Sequence, residues 1–253
     1  MIIDSHCHID FADFDSDRDA VLQHAYSLGI HKIVVPGVMQ SSWQKIKDCC
    51  DTYPQLYPCY GLHPYFINQH RKDDLIKLSE WIQTNRAVAI GECGLDYYLK
   101  NLDKTSQQFY FEKQLDIAIE HNLPVVIHAR KSTEDVILAI KQRPSLRGMI
   151  HSYSGSYEQA LQLIDKNFYL SFGGPVTHDK STKLRKLVAS LPLSSILVET
   201  DAPDQPTAQA RSRRNEPANI TEVIQSVASL HNTNIDEVSR ITSENAKTLF
   251  QLV

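Results

Sequence analysis

The chain has no excess of positive charge: 26 Lys and Arg stand against 30 Asp and Glu, for a formal net charge of −4. Without a global basic field it is not expected to coat nucleic acid, and any polyanion it binds must be held by a local site or by metal. No apolar run approaches the roughly 18 residues that mark a membrane span. Met1 leads straight into Ile2, Ile3 and Asp4, with no basic and then apolar leader of a secretory signal. No membrane association is therefore expected. Cysteine is scarce and odd in number, Cys7, Cys49, Cys50, Cys59 and Cys93, with no C-x-x-C pair. That pattern suits reduced thiols better than a disulfide framework, and it makes the cytoplasm the expected address. Internal repeats, low-complexity stretches and an interdomain linker are missing too.

What is present is an ordinary globular composition, 42% hydrophobic and 22% charged over 253 residues. Eight short apolar runs rich in Val, Ile, Tyr or Phe read as strands: residues 2–8, 32–38, 56–62, 88–92, 124–128, 148–152, 168–172 and 196–201. Helical periodicity fills the gaps, at 17–28, 41–52, 73–84, 103–121, 133–142, 157–166 and 180–191. In the first of these Val21, Leu22, Ala25 and Leu28 form one stripe, Ser16 offers an N-cap and Gly29 a stop.

Strand and helix in alternation call for parallel pairing through helical crossovers, and eight units close most simply into a TIM (β/α)8 barrel, an α/β fold. A doubly wound open sheet is the rival. The expected organisation is one domain over 1–253, with a long loop at 202–217 carrying Arg211, Arg213 and Arg214. A helix at 218–230 follows the loop. An additional C-terminal helix, opened by Asn234 and Glu237 and carrying Val238, Ile241, Leu249 and Phe250, is expected to pack outside the barrel.

In such a barrel the chemistry lies at the carboxyl ends of the strands. His6 and His8 share a strand face there, Cys7 pointing the other way. Glu92, His128, His151 and Asp201 stand at the ends of runs four, five, six and eight. Singly, each has a plain reading as a solvated residue, a core histidine or a cap. Jointly they offer nitrogen and oxygen ligands for two ions, with Glu92 the candidate bridge.

"DSHCHID" at the N-terminus, "GLHP" at 61–64, "GECGLD" at 91–96, "VIHAR" at 126–130, "IHSYSG" at 150–155 and "VETDAP" at 198–203 run in order through the chain. Together they resemble the signatures of the TatD family of metal-dependent hydrolases, within the amidohydrolase superfamily. The resemblance implies a TIM-type barrel with two divalent ions; family habit points to Mg, while histidine with carboxylate suits Zn, Mn, Co or Ni. His6, His8 and Asp201 would bind one ion and His128 and His151 the other, with Glu92 shared. It implies a hydrolase using a metal-activated water, with a deoxyribonuclease acting on single-stranded DNA or oligonucleotides as the leading member activity. Nucleic acid is thus the expected partner, as substrate, and no obligate protein partner is expected. Two departures fall where substrate would be recognised: Ser152-Tyr153 where many relatives have Cys-Phe, and the loop after Asp201.

Asp201 is the expected proton acceptor, with Glu199 one layer deeper on the same face and Asp4 in the same relation to His6. His63, at the end of the third run, is expected in catalysis or substrate binding, and Arg130 and Arg214 as phosphate contacts. The other reading of Arg130 is an ion pair with a neighbouring acid. Asp96 is expected to pin a loop or support a ligand, and Tyr97 and Tyr98 to offer faces for a base. The competing functions are a hydrolase of amides, lactones or other esters, and a non-catalytic metal-binding module.

Overall fold

A computed structural model describes residues 1–252. All eight expected strands form: β1 Ile2–Asp4, β2 Ile30–Pro36, β3 Leu56–Tyr60, β4 Ala89–Asp96, β5 Val125–Arg130, β6 Gly148–Ile150, β7 Phe168–Phe172 and β8 Ile196–Val198. The helices are α1 Arg18–Ser27, α2 Trp43–Thr52, α3 Lys72–Thr84, α4 Lys104–Glu120, α5 Thr133–Lys141, α6 Tyr157–Asp165, α7 Thr182–Ser190, α8 Ile220–Leu230 and α9 Ile235–Phe250. Strand order is β1 to β8 in sequence, and the fold is the TIM barrel. The strands are short and almost wholly buried, as parallel strands covered on both faces must be.

The described chain divides into two compact units. One comprises Met1–Val35 and the segment from Leu170 on. In it β1 pairs with β2, Asp4 opposite Ile33, and β7 with β8, Leu170 opposite Ile196. The C-terminal helix α9 lies against β1, β8 and α8, as its apolar stripe of Val238, Leu249 and Phe250 requires. Two side chains fasten it: Ser243 Oγ donates to Met1 O at 3.1 Å, and Asn245 Nδ2 donates to Leu193 O and Ile196 O at 2.8 Å each. Asn234 caps its start, accepting from Glu237 N at 2.7 Å.

The other unit is Pro36–Tyr169. Its β4 and β5 pair Cys93 with Ile127 and Gly94 with His128, after a register irregularity between Ile90 and Cys93. An aromatic cluster of Trp43, Tyr60 and Trp81 packs beside it with ring centroids 5.8 to 6.3 Å apart. Trp43 Nε1 donates to Gly61 O at 3.2 Å, so the indole keeps its hydrogen bond in the core.

Two local expectations are corrected. The N-cap of α1 is Asp17 rather than Ser16, and its carboxylate makes no capping bond because Arg214 takes it. The third strand is followed by a 3-10 segment, Pro64–Gln69, which the sequence pattern does not announce.

Candidate metal centre

In the first unit β1 ends at Asp4, so His6 and His8 lie beyond the strand rather than within it. The segment stays extended because neighbouring backbone holds it on both sides. Ser5 N donates to Val198 O at 3.1 Å, Cys7 N to Val34 O at 3.0 Å and His8 N to Ala202 O at 2.8 Å. Alternation therefore continues past the strand, and the two imidazoles share a face.

Asp201 likewise stands beyond β8, its N–H donating to His6 O at 2.9 Å. Its φ of +54° lies in the left-handed region, which aspartate tolerates better than most residues. His6 Nε2 and His8 Nε2 are 3.3 Å apart, and Asp201 Oδ1 is 3.3 Å from the former and 3.7 Å from the latter. Ligands about 2.1 Å from one tetrahedral centre stand roughly 3.4 Å from each other, so the donor set fits a single divalent ion.

Around this cluster Asp4 is fully buried and accepts from Thr200 N at 3.0 Å, from Thr200 Oγ1, and from His6 N at 3.2 Å. Burial pushes its carboxyl up to about 7 against those hydrogen bonds. Asp4 thus holds the backbone of His6. The side-chain amide of Gln205 donates to Asp201 Oδ2. Neither Thr200 nor Gln205 was expected, since nothing in their spacing distinguishes them from other loop residues.

In the second unit the focus is Glu92. It does not end its strand, which runs on to Asp96. Instead it sits inside the register irregularity, its N–H donating to Gly37 O at 2.8 Å. Its Oε1 lies 3.0 Å from His63 Nε2, 3.3 Å from His128 Nδ1 and 3.5 Å from His151 Nε2.

The two rings at closest range differ in tautomer. His63 Nδ1 accepts from Tyr65 N at 3.0 Å, so in the neutral ring the proton is on Nε2, directed at Glu92. His128 Nε2 is 3.1 Å from Asp96 Oδ2; the proton belongs there, and Nδ1 presents its lone pair beside Glu92. His128 is thus set up as a ligand, and His63 as a donor that steadies Glu92. Burial opposes charge on His128, but hydrogen bonds and charge from Asp96 and Glu92 outweigh it and raise the imidazole to about 9, so the Nδ1 lone pair is presented only once a metal displaces the proton there. Burial also works against ionised Asp96, yet the His128 contact and the N–H groups of Tyr98 and Leu99 bring its carboxyl below the usual range. Asp96 both holds the His128 ring and pins the following loop.

Of the remaining candidates, Glu199 is completely buried on the approach to Asp201, its N–H donating to Phe172 O at 3.1 Å. Arg130 stacks on Tyr98, 3.9 Å from the ring centroid, instead of forming the ion pair considered for it. Arg214 is differently placed from its expected reach over the mouth. Its guanidinium is taken up by Asp17 at 2.7 and 2.9 Å and Glu216 at 2.9 Å, and stacks on Phe14. That fastens the long loop to α1 and leaves the substrate contact without support. Cys7 and Cys93 are fully buried, and burial pushes both thiols up, away from nucleophilic reactivity.

A family model described as "TatD related DNase" matches residues 3–251. The metal-dependent hydrolase YabD of Bacillus subtilis is 35% identical to this chain over 254 residues, covering 100% of both. The metal-dependent hydrolase YjjV of Escherichia coli K12 is 33% identical, over 99% of this chain and 98% of its own. The crystal structure of that TatD homolog matches with a TM-score of 0.96 over 100% of this chain and 98% of its own.

Proposed function

The chain belongs to the TatD family of metal-dependent hydrolases, and from that premise we propose that it hydrolyses phosphodiester bonds, as a deoxyribonuclease acting on single-stranded DNA or oligonucleotides. The observation that carries the reading is the convergence of three imidazole nitrogens on Glu92 Oε1, within 3.5 Å, in a family of metal-dependent hydrolases. His6, His8 and Asp201 would hold one divalent ion, and Glu92, His128 and His151 a second. The chain works as one domain in the cytoplasm. Histidine and carboxylate ligands suit Mn or Zn, and Mg is the family habit.

Such ions supply a water acidified to a pKa of about 7 and a positive field for charge developing on phosphoryl oxygen. The chain's own residues do the rest. Asp201 accepts the proton of the attacking water on its carboxylate, which the Gln205 amide orients through Oδ2, and returns that proton to the leaving oxygen. His63 donates from Nε2 to Glu92 and keeps that carboxylate ionised and oriented. Glu199 supports the stretch that carries Asp201. Arg130 presents its guanidinium to a substrate phosphate beside the one attacked.

The test is hydrolysis of bis(p-nitrophenyl) phosphate beside a panel of lactones, amides and carboxylic esters, with and without metal. Metal-dependent turnover of the phosphodiester above the panel supports the reading; turnover confined to carbon esters would replace it with the alternative.

A further inference from the structure

A cleft of about 550 Å³ opens in the second unit, bordered by Tyr98, the end of β5 and the turn after it from Arg130 to Thr133, and Ser154 and Gly155 after β6. Two cationic side chains line it, Arg130 and Lys131, and among the described residues neither is held in an ion pair. The Arg130 guanidinium carbon lies over the Tyr98 face, 3.9 Å from its centroid, and its N–H groups are left for a pair of oxygens. Lys131 adopts φ +58°, unusual for lysine, at the turn where the chain enters α5.

The wall between them also carries backbone donors, beside Glu134 and Asp135 in the first turn of α5. Ser132 Oγ donates to Leu95 O at 2.7 Å and does not cap α5, so the first amides of that helix keep their donors and the positive end of its dipole. The one acid in the lining, Glu134, accepts from Gln159 Nε2 at 3.2 Å.

The cleft is tied to the metal ligands through covalent and hydrogen-bonded neighbours. Arg130 follows His128 by two residues, and Tyr98 N donates at 3.0 Å to Asp96, the partner of His128 Nε2. We infer that this cleft is a subsite for a second phosphate of the substrate, so that the preferred substrates are oligonucleotides bearing a phosphate next to the scissile diester. This rests on the phosphodiesterase reading for its place in the reaction. Two unpaired cations and a row of amide donors match a dianion and would gain nothing from a neutral ester group.

The test is calorimetric binding of three thymidine dinucleotides, TpT, pTpT and TpTp, to the metal-supplied full chain carrying Asp201→Asn to block turnover. The 5′- and 3′-phosphorylated forms report which side of the scissile bond the cleft serves. One of them is expected to bind about tenfold more tightly than TpT, the scale of a charge-assisted hydrogen bond or two. Lys131→Asn, added because asparagine accepts the left-handed backbone, removes most of that preference while leaving TpT binding and the melting temperature unchanged. Arg130→Gln removes it as well.

Equal binding of all three by the parent, or a preference that survives both substitutions, overturns the subsite. If the preference is present but the wild-type chain cleaves none of the three, the subsite stands and the phosphodiesterase reading fails.

Discussion

Asp96 Oδ2 stands 3.1 Å from His128 Nε2, while the other nitrogen of the same ring lies 3.3 Å from Glu92 Oε1. One imidazole thus links the buried carboxylate of the centre to a second carboxylate that fixes its tautomer. Replacing Asp96 by Asn keeps the loop-pinning acceptor but removes the charge that makes His128 a strong ligand. Affinity for Mn²⁺ or Zn²⁺, measured by titration calorimetry, is expected to fall about 10- to 100-fold. Unchanged affinity would separate His128 from the metal centre.

Metal removal is predicted to cost stability as well as activity. Because the donor set at His6, His8 and Asp201 is assembled only in the folded chain, metal at 100 times its Kd adds about 2.7 kcal/mol to unfolding. The melting temperature should rise on adding Mn²⁺ and fall back with a chelator, and His6→Ala with His8→Ala should abolish most of the rise.

Gly94 is where backbone packing and ligand position meet. A Cβ there would stand 2.0 Å from His128 O, at a φ of +144°. At Gly29, by contrast, φ is +86° and nothing lies within 4 Å. Gly94→Ala is expected to destabilise by the upper end of about 1–3 kcal/mol or more and to weaken metal binding, through displacement of His128. Gly29→Ala should show only the smaller backbone penalty and normal metal binding. Chemical denaturation and metal titration on the pair separate the two effects.

The contact pattern also reassigns Arg214. With its fork on Asp17 and Glu216, Arg214→Ala is predicted to lower the melting temperature and leave the Michaelis constant for a phosphodiester unchanged. A raised Michaelis constant with unchanged melting would restore the substrate contact.

Much of this was legible in the sequence because the βα rhythm is carried by local patterns: β-branched runs, amphipathic stripes, and caps such as Asn234. The candidate ligands were marked in the sequence for the same reason, each sitting just after an apolar stretch. What was hidden depends on interactions distant in sequence. His6 and His8 lie beyond their strand and are kept extended by Val34, Val198 and Ala202. Glu92 is turned inward by a register irregularity that periodicity does not encode. Thr200 and Gln205 hold carboxylates from positions with no repeat or motif to mark them, and the tautomer of His63 is set by a backbone N–H in an unannounced 3-10 turn. For Arg214, sequence supplied a charge on a long loop, while its partner Asp17, the N-cap of α1, is almost two hundred residues away.

The most direct test is a time course on end-labelled single-stranded DNA with Mg²⁺ or Mn²⁺, a chelator control, and Asp201→Asn purified alongside with its metal content measured. Stepwise shortening that stops with chelator, and slows about 10²- to 10⁴-fold in the metal-loaded variant as expected for loss of a proton acceptor, is the predicted result. Intact DNA under every condition, or equal cutting by wild type and variant, would contradict it.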